Sequence, residues 1–218
     1  MGDIQTIRIW FEKRGRAKYI SHLDLMRAMT RAVRRAALPL WYTEGFHPHP
    51  YLSFPLPLPL GQEGLREAMD LRLEQDMPFE DIRGRLNAAL PDGLRVIEVA
   101  QPWCKPGEIS AAAYDIAVPC EDPAAWAGQA KSALEAGTLT AKKMGKQGRR
   151  KVEKEIALAP LILQHDLRAG EGAARLRCTL AAGSETNLNP ALLTRALGAP
   201  AAEITRLRLL RANGAAWE

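Results

Sequence analysis

Three of the four histidines in this 218-residue sequence fall within one short stretch, residues 21–53. His22 directly follows Ser21, and His47 and His49 stand in the segment E-G-F-H-P-H-P. Imidazoles serve as general acids and bases near neutral pH, so His22 with His47 or His49 could cleave RNA without a metal. Because a first-turn histidine meets the positive end of the helix dipole, we expect His22 to remain neutral and available as a base.

The same histidines could instead bind a metal ion. Three imidazoles suit zinc, and the H-x-H pair on an extended segment could provide two of them. Glu44 or Asp24 would be the fourth ligand. No second cluster of ligands supports this alternative, and the sequence therefore predicts neither a metal site nor a cofactor.

The first half of the stretch predicts a helix that begins at about His22. Ser21 is a favourable N-cap, and Asp24 completes a capping box that would satisfy two free backbone donors. At 100° per residue, one predicted face packs and the other is cationic. The packing face consists of Leu23, Met26, Met29, Thr30, Val33 and Ala37, and the cationic face carries Arg27, Arg31, Arg34 and Arg35. Guanidinium groups suit phosphate oxygens, although a solvated surface is an equal alternative.

The second half of the stretch predicts a stiff loop, because Pro48 and Pro50 exclude a helix there. Phe46, with Trp41 and Tyr42, offers rings on which unpaired bases could stack. Packing within a hairpin is the alternative for Trp41 and Tyr42. The complete motif comprises Ser21, His22, Asp24, Arg27, Glu44, Gly45, Phe46, His47, Pro48 and His49.

A second basic segment lies between residues 142 and 155. Seven cations stand there against two carboxylates, a net charge of +5 that equals the formal charge of the whole chain. The two glycines in the segment indicate a hairpin tip, and a basic tip of this kind is typical of a polyanion-binding element. A solubilising loop is the alternative. The predicted RNA contacts are Lys142, Lys143, Lys146, Arg149 and Arg150.

The overall composition, 47% hydrophobic and 25% charged, is that of an ordinary globular protein. No apolar run approaches the roughly 20 residues of a membrane helix, and the first residues do not resemble a signal peptide, so we expect a cytoplasmic location. Cys104, Cys120 and Cys178 are too scattered for a disulfide framework or an iron–sulfur site, and we expect buried thiols.

The order of the predicted elements indicates an α+β protein with two similar halves. Each half reads β-α-β-β-α-β, which predicts two ferredoxin-like units, each an antiparallel sheet with its helices on one face. The predicted N-terminal unit covers residues 1–102 and carries the histidine-containing motif. Residues 103–111 are a linker, and residues 112–218 form the second unit, with the basic hairpin added.

Several of these motifs together resemble one known family. I-S-H-L-D-L-M-R, R-A-x-R-R-A-x-L-P, E-G-F-H-P-H-P-x-L-S-F, P-L-x-x-G and E-A-M-D-L resemble the radical-SAM-linked protein family, a domain of unknown function. Members of that family occur beside a radical SAM protein or fused to its C-terminal end. The radical SAM protein often has a cobalamin-binding region, and ribonuclease G is frequently nearby.

The resemblance implies a partner role, because a radical SAM enzyme needs three closely spaced cysteines and this sequence has none so arranged. We expect an accessory protein that binds or presents tRNA or rRNA to a radical SAM enzyme, an interpretation that favours a binding protein over an enzyme. The alternatives are the metal-independent endoribonuclease and a pure docking module that contacts the radical SAM protein through Phe46 and the prolines. The oligomeric state stays open.

Overall fold

Strands from both halves of the chain join in one mainly antiparallel sheet. The computed structural model describes residues 4–147, 150–184 and 186–218, with the backbone alone for residues 143–147 and 150–152. The strands are β1 Gln5–Lys13, β2 Leu52–Ser53, β3 Glu63–Leu73, β4 Leu94–Ala100, β5 Ala111–Pro119, β6 Thr140–Gln147, β7 Arg150–Ala157, β8 Ile162–Ala169, β9 Ala173–Ala181 and β10 Glu203–Leu210. The helices are α1 His22–Arg35, α2 Phe79–Ala89, α3 Pro123–Glu135 and α4 Pro190–Ala196.

The strand order across the sheet is β4-β1-β3-β10-β5-β9-β8, and β2 pairs with β3. In the N-terminal half, Ile7 and Ile9 of β1 share a buried cluster with Leu25 and Met29 of α1 and with Ile82 of α2. Successive side chains of a strand point to opposite faces. Both helices of this half therefore cover the same face of the sheet.

The C-terminal half has a core of its own, in which Ile116, Leu176 and Leu193 are fully buried. Its strands follow the order β10-β5-β9-β8, while β6 and β7 pair with each other in a separate two-stranded sheet. Asp122 caps α3 and Asn189 caps α4, each by accepting a backbone N–H in the first turn. The predicted basic hairpin is thus present as β6 and β7, inserted between α3 and β8.

The two halves meet where β3 and β10 run parallel, a pairing that joins Thr205 to Glu63 and Arg206 to Gly64. The guanidinium of Arg206 binds the Glu67 carboxylate through two nitrogens, with Nε to Oε1 at 2.9 Å, and both side chains are almost wholly buried. Burial works against the charge of Arg206, but Glu67 outweighs it and raises the pKa of the guanidinium. The junction therefore contains a buried ion pair.

Gly64 leaves the space that this ion pair needs. A Cβ atom at this position would lie 2.4 Å from Oε1 of Glu67, which is too close for any side chain. The Arg206 Nη2 group also donates to the Leu56 carbonyl at 2.7 Å, so the loop before β3 is fastened to the same charge. The absence of a side chain at Gly64 is therefore a packing requirement of the junction.

A second buried ion pair, between Arg8 of β1 and Asp70 of β3, lies on the other face of the sheet from Glu67. Arg8 donates to Asp70 through Nε at 2.7 Å and to the Cys104 carbonyl at 3.0 Å, and its guanidinium lies 3.8 Å from the Trp217 ring centre. Trp10 meets Trp217 edge-on at 5.7 Å. These contacts attach residues near both ends of the C-terminal half to the first strand of the chain.

The prediction of a protein with both helices and strands, in which the sheet is mainly antiparallel, is confirmed. The helix start at His22 is confirmed, and the second strand of the N-terminal half is short, with only Leu52–Ser53. The packing face predicted for α1 is wrong at two positions: Leu23 is 63% exposed, and Ala37 lies beyond the helix with a positive φ. Leu25 and Ala32 are buried instead.

The cysteines are free thiols, as expected. Cys104 and Cys178 are buried and Cys120 is half-buried, so the expected burial is confirmed for the first two. Burial raises the pKa of the Cys178 thiol to about 12, with Asp115 as a second cause. That thiol therefore remains protonated at physiological pH.

The buried pair at the junction leads to a test of stability. Glu67→Gln leaves the Arg206 charge buried without its partner and should lower the free energy of unfolding by about 3–5 kcal/mol. Urea unfolding monitored by circular dichroism measures the loss. The matched control, Glu203→Gln on the exposed side of β10, should change the free energy by less than about 0.5 kcal/mol. The double variant Glu67→Met with Arg206→Met should recover most of the loss, and equal losses in the single and double variants would contradict this account.

Candidate functional site

The first turn of α1 is capped as the sequence predicts, with one difference. The Ser21 hydroxyl oxygen accepts the Asp24 backbone N–H at 3.2 Å. The Asp24 carboxylate, however, accepts the Ser21 hydroxyl at 2.7 Å and not the Ser21 backbone N–H, so the predicted reciprocal capping box is only half formed. The same carboxylate pairs with Arg27 at 3.2 Å. Ser21 and Asp24 therefore serve to start the helix and to orient its first arginine.

The predicted cationic face of α1 is exposed to solvent. Arg27, Arg31 and Arg34 follow one another at intervals of four and three residues, so they form one row along the helix. Arg31 makes no hydrogen bond or ion pair with the described residues. Arg35 is different, because its Nη2 donates to the Ala89 carbonyl at the end of α2, at 2.5 Å. Arg35 therefore connects the two helices. The exposed arginine row consists of Arg27, Arg31 and Arg34.

Residues 41–51 form a hairpin loop that extends from the edge of β3. Its base is attached by the Trp41 N–H, which donates to the Arg72 carbonyl at 3.0 Å. Within the loop, the Thr43 N–H donates to the His49 carbonyl at 2.9 Å, and the Tyr51 N–H donates to the Trp41 carbonyl at 3.3 Å. The loop is thus a braced element of the fold.

The tip of the hairpin loop holds the exposed part of the motif. Glu44, Gly45, His47, Pro48 and His49 are all exposed. Gly45 has a φ of +125°, a conformation that other residues avoid.

The loop also carries a ring that lies wholly in solvent. The side chain of Phe46 is 100% exposed. The ring of His49 is held from within the loop, since its Nδ1 lies 3.1 Å from both the Thr43 hydroxyl and the His47 carbonyl. The loop therefore presents a fully exposed aromatic ring on a fixed backbone.

The other two aromatic residues proposed for stacking differ in their surroundings. Trp41 is half-buried, and it packs edge-on to Tyr51 with the Arg72 guanidinium 5.1 Å from its ring centre. Tyr42 is exposed, and the Arg34 guanidinium lies 6.0 Å from its ring centre. Trp41 therefore belongs to the packing of the loop, whereas Tyr42 joins the loop to the arginine row.

His22 lies at the opposite end of α1 from this contact. Its ring meets Phe54 edge-on at 5.3 Å, and its Nδ1 is buried without a hydrogen-bond partner among the described residues. Burial lowers the pKa of His22, and the charge of nearby Lys13 lowers it further. The direction agrees with the neutral histidine expected from the sequence, but burial is the main cause.

The three motif histidines are not brought together. The helical rise of about 1.5 Å per residue places His22 roughly 18 Å along the axis from Arg34, the residue that meets the hairpin loop. Within the described part of the chain, no group of three or more His, Cys, Asp or Glu side chains is placed to hold a metal ion. The arrangement therefore offers no support for pairing His22 with His47 or His49, either as acid and base or as metal ligands.

The basic hairpin can be described only in part. Lys142 is exposed and pairs with Glu153 at 3.1 Å. Arg149 lies outside the described residues, as do the side chains of Lys143, Lys146 and Arg150. The backbone register pairs Lys146 with Lys151, so cationic residues face each other across the two strands. The predicted RNA contacts of this segment remain predictions.

Sequence reasoning missed the buried cations of the fold. Lys13 is almost wholly buried, with Nζ 3.4 Å from the carbonyls of Lys18 and Ile20. Burial lowers the pKa of Lys13, although the charge of Glu67 opposes the shift. A cation inside an alternating strand pattern is expected to face solvent. Only the folded structure shows that the chain turns back after β1 and places two carbonyls near the Lys13 ammonium group.

Comparison with known proteins identifies a family. The family described as "Uncharacterized protein conserved in bacteria (DUF2344)" has a sequence model that matches residues 6–190. The chain belongs to this family. The match to this DUF2344 family covers α1, the hairpin loop and the basic hairpin. No protein with a curated description matches the chain. In the described residues, no helix has the length and apolarity required to cross a bilayer.

The surroundings of His22 predict a pH dependence of stability. The unfolded chain restores the ordinary pKa of the imidazole, so it binds a proton before the folded protein does as the pH falls. Stability should therefore decrease as the pH falls below about 6.5, the ordinary histidine value. His22→Gln should make the decrease in melting temperature from neutral to mildly acidic pH shallower. His47→Gln, which changes a ring in solvent, is the matched control and should leave the slope as in the wild type. A wild-type slope in His22→Gln would contradict this interpretation.

Proposed function

We propose that this protein binds RNA through the exposed row of Arg27, Arg31 and Arg34 together with the hairpin loop, and that it does so as an accessory protein of a radical SAM enzyme. The observation that carries the proposal is the contact between Arg34 and Tyr42. This contact makes the arginine row and the loop that bears Phe46 one continuous surface. A cationic row beside an exposed ring matches the two needs of single-stranded RNA, which are phosphate neutralisation and base stacking.

The choice and state of the cations support phosphate binding. Arginine presents a planar fork that fits two phosphate oxygens, and Arg31 has no competing intramolecular partner among the described residues. Asp24 forms its ion pair with Arg27, at the start of the row. The net charge of +5 between residues 142 and 155 would add long-range attraction for the same polyanion.

The state of the loop supports base stacking. An aromatic ring in solvent forgoes the favourable free energy of burying its apolar surface. Phe46 is fully exposed, so packing does not explain its position. The prolines and the hydrogen bonds of the loop fix its backbone, so little conformational entropy would be lost when a base stacks on the ring. Glu44 is the one anion at the tip, and it would favour contact with bases over contact with phosphates there.

The radical SAM association rests on the sequence resemblance, which is dense between residues 19 and 70. The three cysteines of this chain are too far apart in sequence to bind the iron–sulfur cluster of a radical SAM enzyme. The arginine row and the hairpin loop suit a partner that holds the substrate. We further propose that each half is a ferredoxin-like unit, residues 1–102 and 112–218, joined by residues 103–111. The strand orders β4-β1-β3-β2 and β10-β5-β9-β8 support this assignment. When the separate hairpin of β6 and β7 is left out, each order places the first and third strands of its half in the centre.

Arg31→Gln tests the phosphate contact. The variant removes one guanidinium that makes no intramolecular ion pair with the described residues, so folding should be unchanged. The measurement is binding of bulk tRNA and rRNA fragments by fluorescence anisotropy between about 50 and 200 mM salt. The affinity should fall, and the slope of the logarithm of the binding constant against the logarithm of the salt concentration should become shallower by about one unit. Arg208→Gln, an exposed arginine of β10, is the control for net charge and should leave the slope nearly unchanged.

A denaturing gel of the same samples separates binding from cleavage. Intact RNA is expected, and RNA cleaved by the wild type but not by His22→Ala would replace this proposal with the endoribonuclease. If the wild type binds no RNA even at low salt, the RNA-binding proposal fails and a pure docking role is left.

Phe46→Ala and Phe46→Leu test whether the exposed ring stacks on a base. Loss of one stacked base costs about 1–3 kcal/mol, which is roughly five- to 150-fold in RNA affinity, with the salt slope unchanged. Phe46→Leu keeps the apolar character without the flat ring and should lose nearly as much affinity as Phe46→Ala. Phe46→Tyr should retain wild-type binding. Wild-type affinity in Phe46→Leu would show that the side chain acts through apolar contact and not through stacking.

A further inference from the structure

The segment after β4 carries another exposed aromatic side chain. Trp103 is 90% exposed. It lines a cavity of about 430 Å³ that also has Trp10 and Phe79 in its wall. A large indole left in water forgoes the apolar burial that normally holds such a residue inside.

The backbone next to Trp103 is firmly held. The Cys104 N–H donates to the Glu218 carbonyl at 2.7 Å, and the Cys104 carbonyl accepts from buried Arg8 at 3.0 Å. The Trp217 indole donates to the Lys105 carbonyl at 2.9 Å. Three hydrogen bonds thus fix the two residues that follow Trp103, and the indole is exposed from an ordered position.

The floor of the cavity is a charged aromatic cluster. Trp10 on β1 lies directly across from Glu98 on β4, and the Arg66 guanidinium stacks 4.3 Å from the Trp10 ring centre. Arg66 pairs with Glu98 at 2.7 Å and with the Glu218 side chain at 3.8 Å. Two carboxylates therefore share one guanidinium, and the cavity has a net negative charge.

The cavity is separate from the arginine row. Trp10 points away from the face on which Ile9 packs against α1 and α2, because neighbouring residues of a strand alternate. The cavity is negative and aromatic, whereas the face of α1 is positive. Phosphate groups would be repelled by Glu98 and Glu218, so this cavity does not extend the RNA surface proposed above.

We propose that the Trp103 cavity is a docking site for a cationic side chain, arginine or lysine, of a partner protein. The exposed indole face attracts a cation, and the carboxylates of Glu98 and Glu218 supply the charge that Arg66 leaves unbalanced. Arg66 itself shows the geometry, since it already stacks on Trp10 and pairs with the same carboxylates. A fixed exposed tryptophan beside a cavity is also the residue type that most often dominates protein interfaces.

A titration with two short peptides tests the proposal. The probes are acetyl-Gly-Arg-Gly-amide and its neutral counterpart, in which citrulline replaces arginine with nearly the same shape. The readout is the indole N–H signal of Trp103 in nitrogen-15 NMR spectra, assigned by its loss in Trp103→Ala. The arginine peptide should shift this signal saturably, and the citrulline peptide should not. Glu98→Gln should weaken the binding by up to about fivefold, as expected for loss of a partly exposed ion pair.

Three results would overturn the proposal: no saturable shift with the arginine peptide, an equal shift with citrulline, or a shift produced by tRNA instead of the peptide. The last would assign the cavity to nucleic acid. The test is independent of the RNA-binding proposal. Arg31→Gln should lose RNA affinity and keep the peptide response, whereas Glu98→Gln should keep RNA affinity and weaken the peptide response.

Discussion

The buried ion pair between Arg206 and Glu67 is the contact on which the joining of the two halves depends. The backbone pairing of β3 with β10 covers only two positions, so few ladder hydrogen bonds hold the halves together. A charge in a water-free junction is costly unless it is paired, and each partner therefore keeps the other in place. The Leu56 carbonyl and the missing side chain of Gly64 complete the fit. The result is one eight-stranded sheet with strands from both halves of the chain.

A continuous sheet gives the protein two sides with different chemistry. On one side, α1 and α2 cover the N-terminal half and expose a row of arginines beside the hairpin loop. On the other side, Trp10, Arg66 and Glu98 form the floor of an aromatic and negatively charged cavity. In our proposals, RNA binds to the first surface and a cationic protein segment binds to the second. The two ligands could then be held at once, because neither surface uses residues of the other.

The histidine-containing motif divides into two parts with different roles. Its beginning, Ser21 to Asp24, starts α1 and packs His22 against Phe54 near the buried Lys13. Its end forms the braced hairpin loop with exposed His47 and His49. Among the described residues, the three histidines that are close in sequence do not form a group that could hold a metal ion. The function that we propose for this surface is binding, with charge and stacking as the sources of affinity.

Local rules were sufficient for much of this fold. Ser21, Asp122 and Asn189 mark three helix starts correctly, and alternating apolar residues reveal β1 and β10, because caps and strand periodicity depend on neighbours in sequence. The arginine row was also predictable from helical periodicity, and so was the loop, since proline restricts the backbone and glycine permits turns that other residues avoid. The burial of Arg8 and Arg206 was not, because their partners are carboxylates and carbonyls from distant parts of the chain. The burial of Lys13 was missed as well, because it depends on how the chain folds back after β1. The same limit applies to Leu23, which lies on the apolar side of a helical wheel but is exposed because no other element covers it. Sequence alone therefore determined the elements and the chemistry available at the surface. Only the tertiary structure decided which charges were buried, which histidines stayed apart and where a negative aromatic cavity formed, because each of these depends on contacts between residues far apart in the chain.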